Sequence, residues 1–284
     1  GGSHFNALMP ELVKRVVVKG EFDVTKIDLP AIAGGVNLHI QAQFVNGVLH
    51  LDLKNQPLNE LSLLVLPGHG TDKVFTQHSG QSVIVLRDMR AETDAVRRVL
   101  GAVPQLDSYE TRHMHWEIAE LSETLEVLGD LYRLGADCSL DWPKGDRLDV
   151  CQIAAGGSFK FSATVGSDFW LEVGGEVALD DGKTVLFTEL LAQLANKVGN
   201  FVRLNDGRFL RLSTAISKHI ELLAHAGEVS TKGLSLPPSA IPLLDTLTSE
   251  NKAFVFPTLV RDRVADYRKA LRETPTLPAS LTCA

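Results

Sequence analysis

The clearest hydrophobic pattern lies between residues 37 and 53. Leu38, Ile40, Ala42 and Phe44 alternate with His39, Gln41 and Gln43, and residues 48–53 alternate again after Asn46-Gly47. A period of two predicts strands with one buried face. Asn-Gly is the strongest short hairpin signal, because both turn positions need positive φ. A two-residue turn then sets the register: Val45 opposite Val48, Phe44 opposite Leu49, Ala42 opposite Leu51, Ile40 opposite Leu53. Every apolar residue meets an apolar one, while Gln43–His50 and Gln41–Asp52 occupy the other face. Pattern and turn chemistry agree on one pairing.

Other elements follow from the same reasoning. Residues 12–18 form a short apolar run, and residues 61–66 read as a strand ending at Pro67-Gly68. Residues 73–77 and 82–86 predict a strand pair around Ser79-Gly80. The period then becomes helical: Ala91, Ala95, Val96, Val99 and Leu100 fall at helical spacing, with Glu92 and Asp94 near the start as acidic residues suited to a helix N-terminus. Residues 118–134 predict a second helix, with a stripe of Ile118, Leu121, Leu125, Leu128, Leu131 and Tyr132 and a stop at Gly135. Residues 141–146, Asp-Trp-Pro-Lys-Gly-Asp, are a turn cluster and mark a domain boundary.

Beyond it, strands are predicted at 148–153, 159–165 and 169–179. The last keeps its alternation through Gly174-Gly175, so the glycines bend one long strand, which turns at Asp180-Asp181-Gly182. A helix–hairpin–helix unit comes next. It comprises a helix over 186–198, a hairpin of 201–204 and 208–212 around Asn205-Asp206-Gly207, and a helix capped by Ser213 or Thr214 that runs to Ala226 before Gly227. Helices at 238–247 and 259–271 precede a tail with Pro275 and Pro278. The expected fold class is α+β: an antiparallel, strand-rich N-terminal part with helices, then strands, the helix–hairpin–helix unit and C-terminal helices. The expected domains are 5–140 and 141–274, with 275–284 as a linker.

Composition adjusts this picture only slightly. A length of 284 residues with 44% hydrophobic content allows two domains with sizeable cores. No apolar run approaches the roughly 20 residues of a membrane span, so no membrane partner is expected. Gly1-Gly2-Ser3-His4 reads as a tag remnant. Cys138, Cys151 and Cys283 are odd in number and widely spaced, which points to reduced thiols in a cytoplasmic protein. The formal charge is −7, but it is uneven. Residues 252–272 carry Lys252, Arg261, Arg263, Arg268, Lys269 and Arg272 against Asp262 and Asp266, a local charge of +4 that leaves −11 for the rest.

Sites of chemistry are few. Pro67-Gly68-His69-Gly70-Thr71-Asp72-Lys73 is the nearest sequence to a phosphate loop, but a P-loop needs Lys directly after the last Gly and a hydroxyl after that. Here Asp72 intervenes and would repel phosphate, so a turn is expected. His113, His115 and Glu117 would share one face of a strand, where they would offer metal ligands. Three residues of one short segment do not close a tetrahedral site and no other His/Cys cluster stands out. The segment is read as a polar face leading into the next helix, with no metal and no cofactor expected. Asp180 and Asp181 read as turn residues, and Cys138 and Cys151 as buried, inert thiols. The basic residues are the stronger signal. Arg203, Arg208 and Arg211 lie on the 201–212 hairpin, and Arg261, Arg268 and Arg272 fall on roughly one helical face. Together with Arg263 and Lys269 they form the expected nucleic-acid-binding set, in which a hairpin beside a helix touches phosphate in the manner of a winged helix.

Several motifs occur together. Leu86-Arg87-Asp88-Met89-Arg90-Ala91-Glu92 resembles the R-D-x-x-A-E segment found upstream of the ATPase core in bacterial SNF2-family helicases. Pro67-Gly68-His69-Gly70 resembles that family's Pro-Gly-x-Gly loop, and Trp142-Pro143-Lys144-Gly145-Asp146 its W-P-x-G motif. Asp168-Phe169-Trp170-Leu171 is similar to its D-W-F strand with the two aromatics exchanged. The stretch from Phe201 to Leu212 resembles its V-x-L-x-D-G hairpin, and Leu277-Pro278-Ala279-Ser280-Leu281 the linker before the helicase core.

The matches run in family order from about residue 60 onward, while both RecA-like lobes, the Walker A motif, the acidic magnesium box and the arginine finger are absent from this sequence, as is the family's zinc-binding SWIM motif. The resemblance therefore implies an accessory or regulatory region of a bacterial, cytoplasmic, ATP-dependent DNA translocase, ending where the motor would begin. ATP hydrolysis would belong to the motor, and no catalytic residue is expected here. The implied partners are the helicase core of the same polypeptide and double-stranded nucleic acid or a regulatory protein. A pure protein-interaction module without nucleic-acid contact is the alternative.

Overall fold

The computed structural model describes residues 18–19, 29–59, 63–154, 159–165, 170–230, 233–250 and 254–272. Most of the 12–18 run, Asp168-Phe169 and the tail from Pro275, including 277–281, lie outside the described residues. The chain is α+β and divides into two compact units between Leu148 and Asp149. The turn cluster at 141–146 belongs to the first unit, because Asp146 bridges the backbone of Phe44 and the Tyr132 hydroxyl donates to Leu148 O at 3.1 Å.

In the first unit, strands β1 (Val18–Lys19), β2 (Ala31–Ala33), β3 (Leu38–Val45), β4 (Val48–Asn55), β5 (Lys73–His78) and β6 (Gln81–Leu86) precede helix α1 (Met89–Ala102). Strands β7 (Glu110–Arg112) and β8 (His115–Ile118), helix α2 (Leu121–Tyr132) and strand β9 (Ser139–Asp141) complete it. Two sheets result, ordered β1-β5-β6-β2 and β7-β8-β4-β3-β9. The β3–β4 hairpin has the expected register from Val45↔Val48 to Ile40↔Leu53, and Asn46 and Gly47 both take positive φ, 53° and 81°. Its apolar face is sealed: Leu49, Leu51 and Leu53 are fully buried, as is Ile118 on β8. β5 and β6 pair antiparallel around Ser79-Gly80, also both at positive φ.

Two expectations fail here. Residues 63–66 form no strand: Val65 makes only an isolated bridge to Asn55, and residues 60–62 lie outside the described set. The second helix starts at Leu121, not Ile118. Its first expected residue, Ile118, is taken by sheet pairing as the end of β8, opposite Leu49, and residues 119–120 link the strand to the helix. Apolar residues at a strand end and along a following helix face produced one continuous stripe in the sequence.

The second unit contains β10 (Val150–Gln152), β11 (Phe159–Val165), β12 (Leu171–Ala178), β13 (Thr184–Leu186), helix α3 (Phe187–Gln193), β14 (Phe201–Arg203) and β15 (Phe209–Arg211). Helix α4 (Thr214–Ala226), β16 (Glu228–Ser230), β17 (Gly233–Leu236), α5 (Ile241–Glu250), β18 (Phe254–Val255) and α6 (Thr258–Arg272) follow. β12 runs unbroken through Gly174-Gly175. A Cβ on Gly175 would lie 2.8 Å from Lys160 O, so glycine permits the close pairing with β11. Residues 184–186 extend this sheet as β13, so Leu186, the expected first residue of a helix over 186–198, ends a strand, and the helix spans Phe187–Gln193. The helix–hairpin–helix unit is present, with the Ser213 hydroxyl accepting from Ile216 N as the cap of α4. Gly227 takes no left-handed conformation. It is needed because a Cβ there would meet Ser235 O at 2.4 Å. No helix among the described residues is long and apolar enough to cross a membrane.

Candidate functional site

The R-D-x-x-A-E segment and the Pro-Gly-x-Gly loop meet in one buried network. Arg87 Nε and Nη2 donate to the two oxygens of Glu92 at 2.9 and 2.5 Å. Its remaining donors reach three loop carbonyls: Nη1 to His69 O and Thr71 O, Nη2 to Leu66 O. Glu92 in turn accepts from Gly68 N at 2.7 Å and from Asn55 Nδ2 at 2.9 Å. Asp88 caps α1 by accepting from Ala91 N. Gly68 sits at φ 66°, where a Cβ would strike Thr93 Oγ1. Arg87, Asp88, Glu92 and Gly68 thus each have a structural task. The Gly68 amide faces a carboxylate, so the loop is clamped shut instead of open to phosphate.

The basic residues divide into two groups. Arg208 is only 13% exposed and bonds Asp206 and Asp181, which anchors the hairpin loop to the 180–182 turn. Arg268 pairs with Asp245 on α5. Arg261 Nη2 donates to Thr258 Oγ1, while Lys269 and Arg272 are exposed on α6. On the hairpin, Arg203 lies over the Phe209 ring and Arg211 over the Phe201 ring, each 5.9 Å from the centroid. These are the two cross-strand pairs of one face, since Phe201 faces Arg211 and Arg203 faces Phe209. The opposite face, Val202 and Leu210, is fully buried. Each guanidinium carbon thus lies within cation–π reach of a ring, while Arg203 stays exposed and Arg211 half-buried.

The polar face of the β7-β8-β4-β3-β9 sheet collects histidines. His113 does not join His115 and Glu117 on one face, because Met114 between them takes φ 57° in the β7–β8 turn. Instead His113 contacts His69, Nε2 to Nε2 at 2.7 Å. His115 and Glu117 meet residues of β4: Asp52 lies opposite His115 and His50 opposite Glu117. Sequence reasoning missed His50 and Asp52. Their alternation with Leu49, Leu51 and Leu53 marked them as outward-facing, but the pairing of β4 with β8 was hidden by the helical reading of residue 118. On the neighbouring edge, Ser139 Oγ and Asp141 Oδ2 both lie against His39 Nδ1, at 2.6 and 2.8 Å. A nucleophile relay needs the hydroxyl and the carboxylate on different ring nitrogens, so this trio is not arranged as one. Cys138 and Cys151 are buried, and burial pushes each thiol up to about 12, which makes them poor nucleophiles.

No family model matches the chain, and no curated protein matches it.

Proposed function

We propose that this chain is a non-catalytic accessory region of a bacterial SNF2-type ATP-dependent translocase, and that its second unit touches the phosphate backbone of duplex nucleic acid. The observation that carries the nucleic-acid part is the hairpin face on which Arg203 and Arg211 are held over Phe209 and Phe201. An arginine whose side chain lies along a neighbouring ring loses less rotamer freedom when it binds a phosphate. Lys269 and Arg272 on α6 of the same unit add positive charge. The motor itself is inferred from the sequence resemblance, and two of the resembling segments support it by sharing the Arg87–Glu92 network.

Fluorescence anisotropy of a labelled DNA duplex, titrated with the chain at rising salt, tests the reading. Binding should be weak and fall steeply between about 50 and about 200 mM salt. Arg203→Glu with Arg211→Glu should weaken it and lower the salt slope by about two, one for each lost phosphate contact. Lys269→Glu with Arg272→Glu should act in the same direction. No binding at low salt would remove the nucleic-acid part. A change in the motor's ATPase rate by this chain in trans, without DNA binding, would then favour the protein-interaction alternative.

A further inference from the structure

We propose that His50, His115 and Glu117 form a binding site for a divalent transition-metal ion of the zinc type, with Asp52 as the orienting partner of His115. The three residues offer ligand atoms that all lie within 4.8 Å of one another. Glu117 Oε1 is 3.2 Å from His115 Nε2 and 3.6 Å from His50 Nδ1. Donors about 2.0–2.1 Å from a tetrahedral zinc ion stand about 3.3 Å apart, so these separations are close to those of a loaded site.

The arrangement is built by the sheet. His50 and Asp52 alternate on β4, His115 and Glu117 alternate on β8, and antiparallel pairing sets the four into a two-by-two block. Behind the block, Leu49, Leu51, Trp116 and Ile118 are buried, so the backbones carrying the ligands are fixed by core packing.

His115 supplies a second, independent indication. Its side chain is only 7% exposed, and Nδ1 makes no hydrogen bond although Asp52 Oδ1 is 3.2 Å away. A buried imidazole nitrogen whose hydrogen bond is left unmade is costly, and the Asp52 carboxylate is in reach but poorly aligned. Metal-ligating histidines use one ring nitrogen for the ion and give the other N–H to a carboxylate, which fixes the tautomer. Nε2 toward Glu117 and Nδ1 beside Asp52 match that division, and a small ring rotation on binding would complete the second bond. His50 and Glu117 are 34% and 43% exposed, which leaves an entry path and a fourth position for water. Two imidazoles and one carboxylate favour zinc-like ions over magnesium or calcium, which take oxygen donors.

The test uses the full chain, stripped with a chelator and titrated with Zn2+ against a chromogenic competitor. One ion should bind per chain. His50→Gln and Glu117→Gln, both at partly exposed positions, should each weaken it at least about tenfold, and Asp52→Asn about 10–100-fold. His113→Gln and His69→Gln should leave it unchanged. Co2+ should give the visible absorption of a four-coordinate site, lost in the His50→Gln/Glu117→Gln double variant. Thermal unfolding of each variant without metal shows whether it is folded. Saturable one-to-one binding that persists in the folded double variant, absence of saturable Zn2+ binding to the parent chain, or preference for Mg2+ would each overturn the proposal.

Discussion

Arg87 directs its guanidinium donors at Glu92 and at three loop carbonyls, and both side chains of the pair are about 98–99% buried. Such a pair adds little over apolar packing as long as it is intact, but removing one partner strands a charge. Glu92→Gln should therefore lower the unfolding free energy by about 3–5 kcal/mol in urea titration. The double replacement Arg87→Met with Glu92→Met should cost less than Glu92→Gln alone, because no buried charge remains. A double variant as damaged as the single one would mean that the loop carbonyls, and not the charge, set the cost. The sequence showed Glu92 as an acidic residue near a helix start and as the last residue of the R-D-x-x-A-E segment. Its partner lies just five positions away, but nothing in the spacing says that both are buried.

At the scale of elements, legibility tracked the agreement of independent signals. The β3–β4 hairpin was readable to the residue, because alternation, Asn46-Gly47 and cross-strand matching all required one register. The bounds of β11 were also readable, and the alternation of β12 continued through the glycines, although the strand ends at Ala178 and its pairing with β11 was not read from the sequence. Short strands such as β9, β13 and β18 were not readable. Two or three residues give no period, and they exist because a longer strand, distant in sequence for β9 and β18 and adjacent for β13, supplies hydrogen bonds. The candidate metal block failed for the same reason, since its halves lie on β4 and β8 and meet only through pairing. The 205–207 loop carries its own pH test. Burial tends to raise the Asp206 carboxyl, but hydrogen bonds and charge from Arg208 outweigh it and hold the group below its ordinary value. A depressed folded value means that the contribution is complete above the ordinary carboxylate range, about pH 4, and is lost as pH falls through the folded value. Thermal midpoints should thus fall in acid, and less steeply in Asp206→Asn. An equal acid slope in that variant would assign the loss to other carboxylates.

For the molecule as a whole, the division between Leu148 and Asp149 separates two kinds of surface chemistry. The first unit carries the clamped loop and the histidine-bearing sheet face, and the second carries the hairpin arginines over their phenylalanine rings and α6. The net charge of −7 is uneven, since residues 252–272 of the second unit carry a local +4. One contact in the first unit bears on how the chain is made. β3 is flanked by β4, its immediate neighbour in sequence, and by β9, whose Ser139 lies 100 residues from His39. The hairpin can form within microseconds of its synthesis, but its second edge stays uncovered until residue 141 has left the ribosome. During that interval the nascent chain exposes an unpaired strand edge, a hazard for intermolecular pairing. A chain ended after residue 136 should therefore associate or precipitate in analytical ultracentrifugation where one ended after residue 148 stays dispersed, and rare codons placed between 60 and 135 should lower the soluble yield by prolonging the exposure.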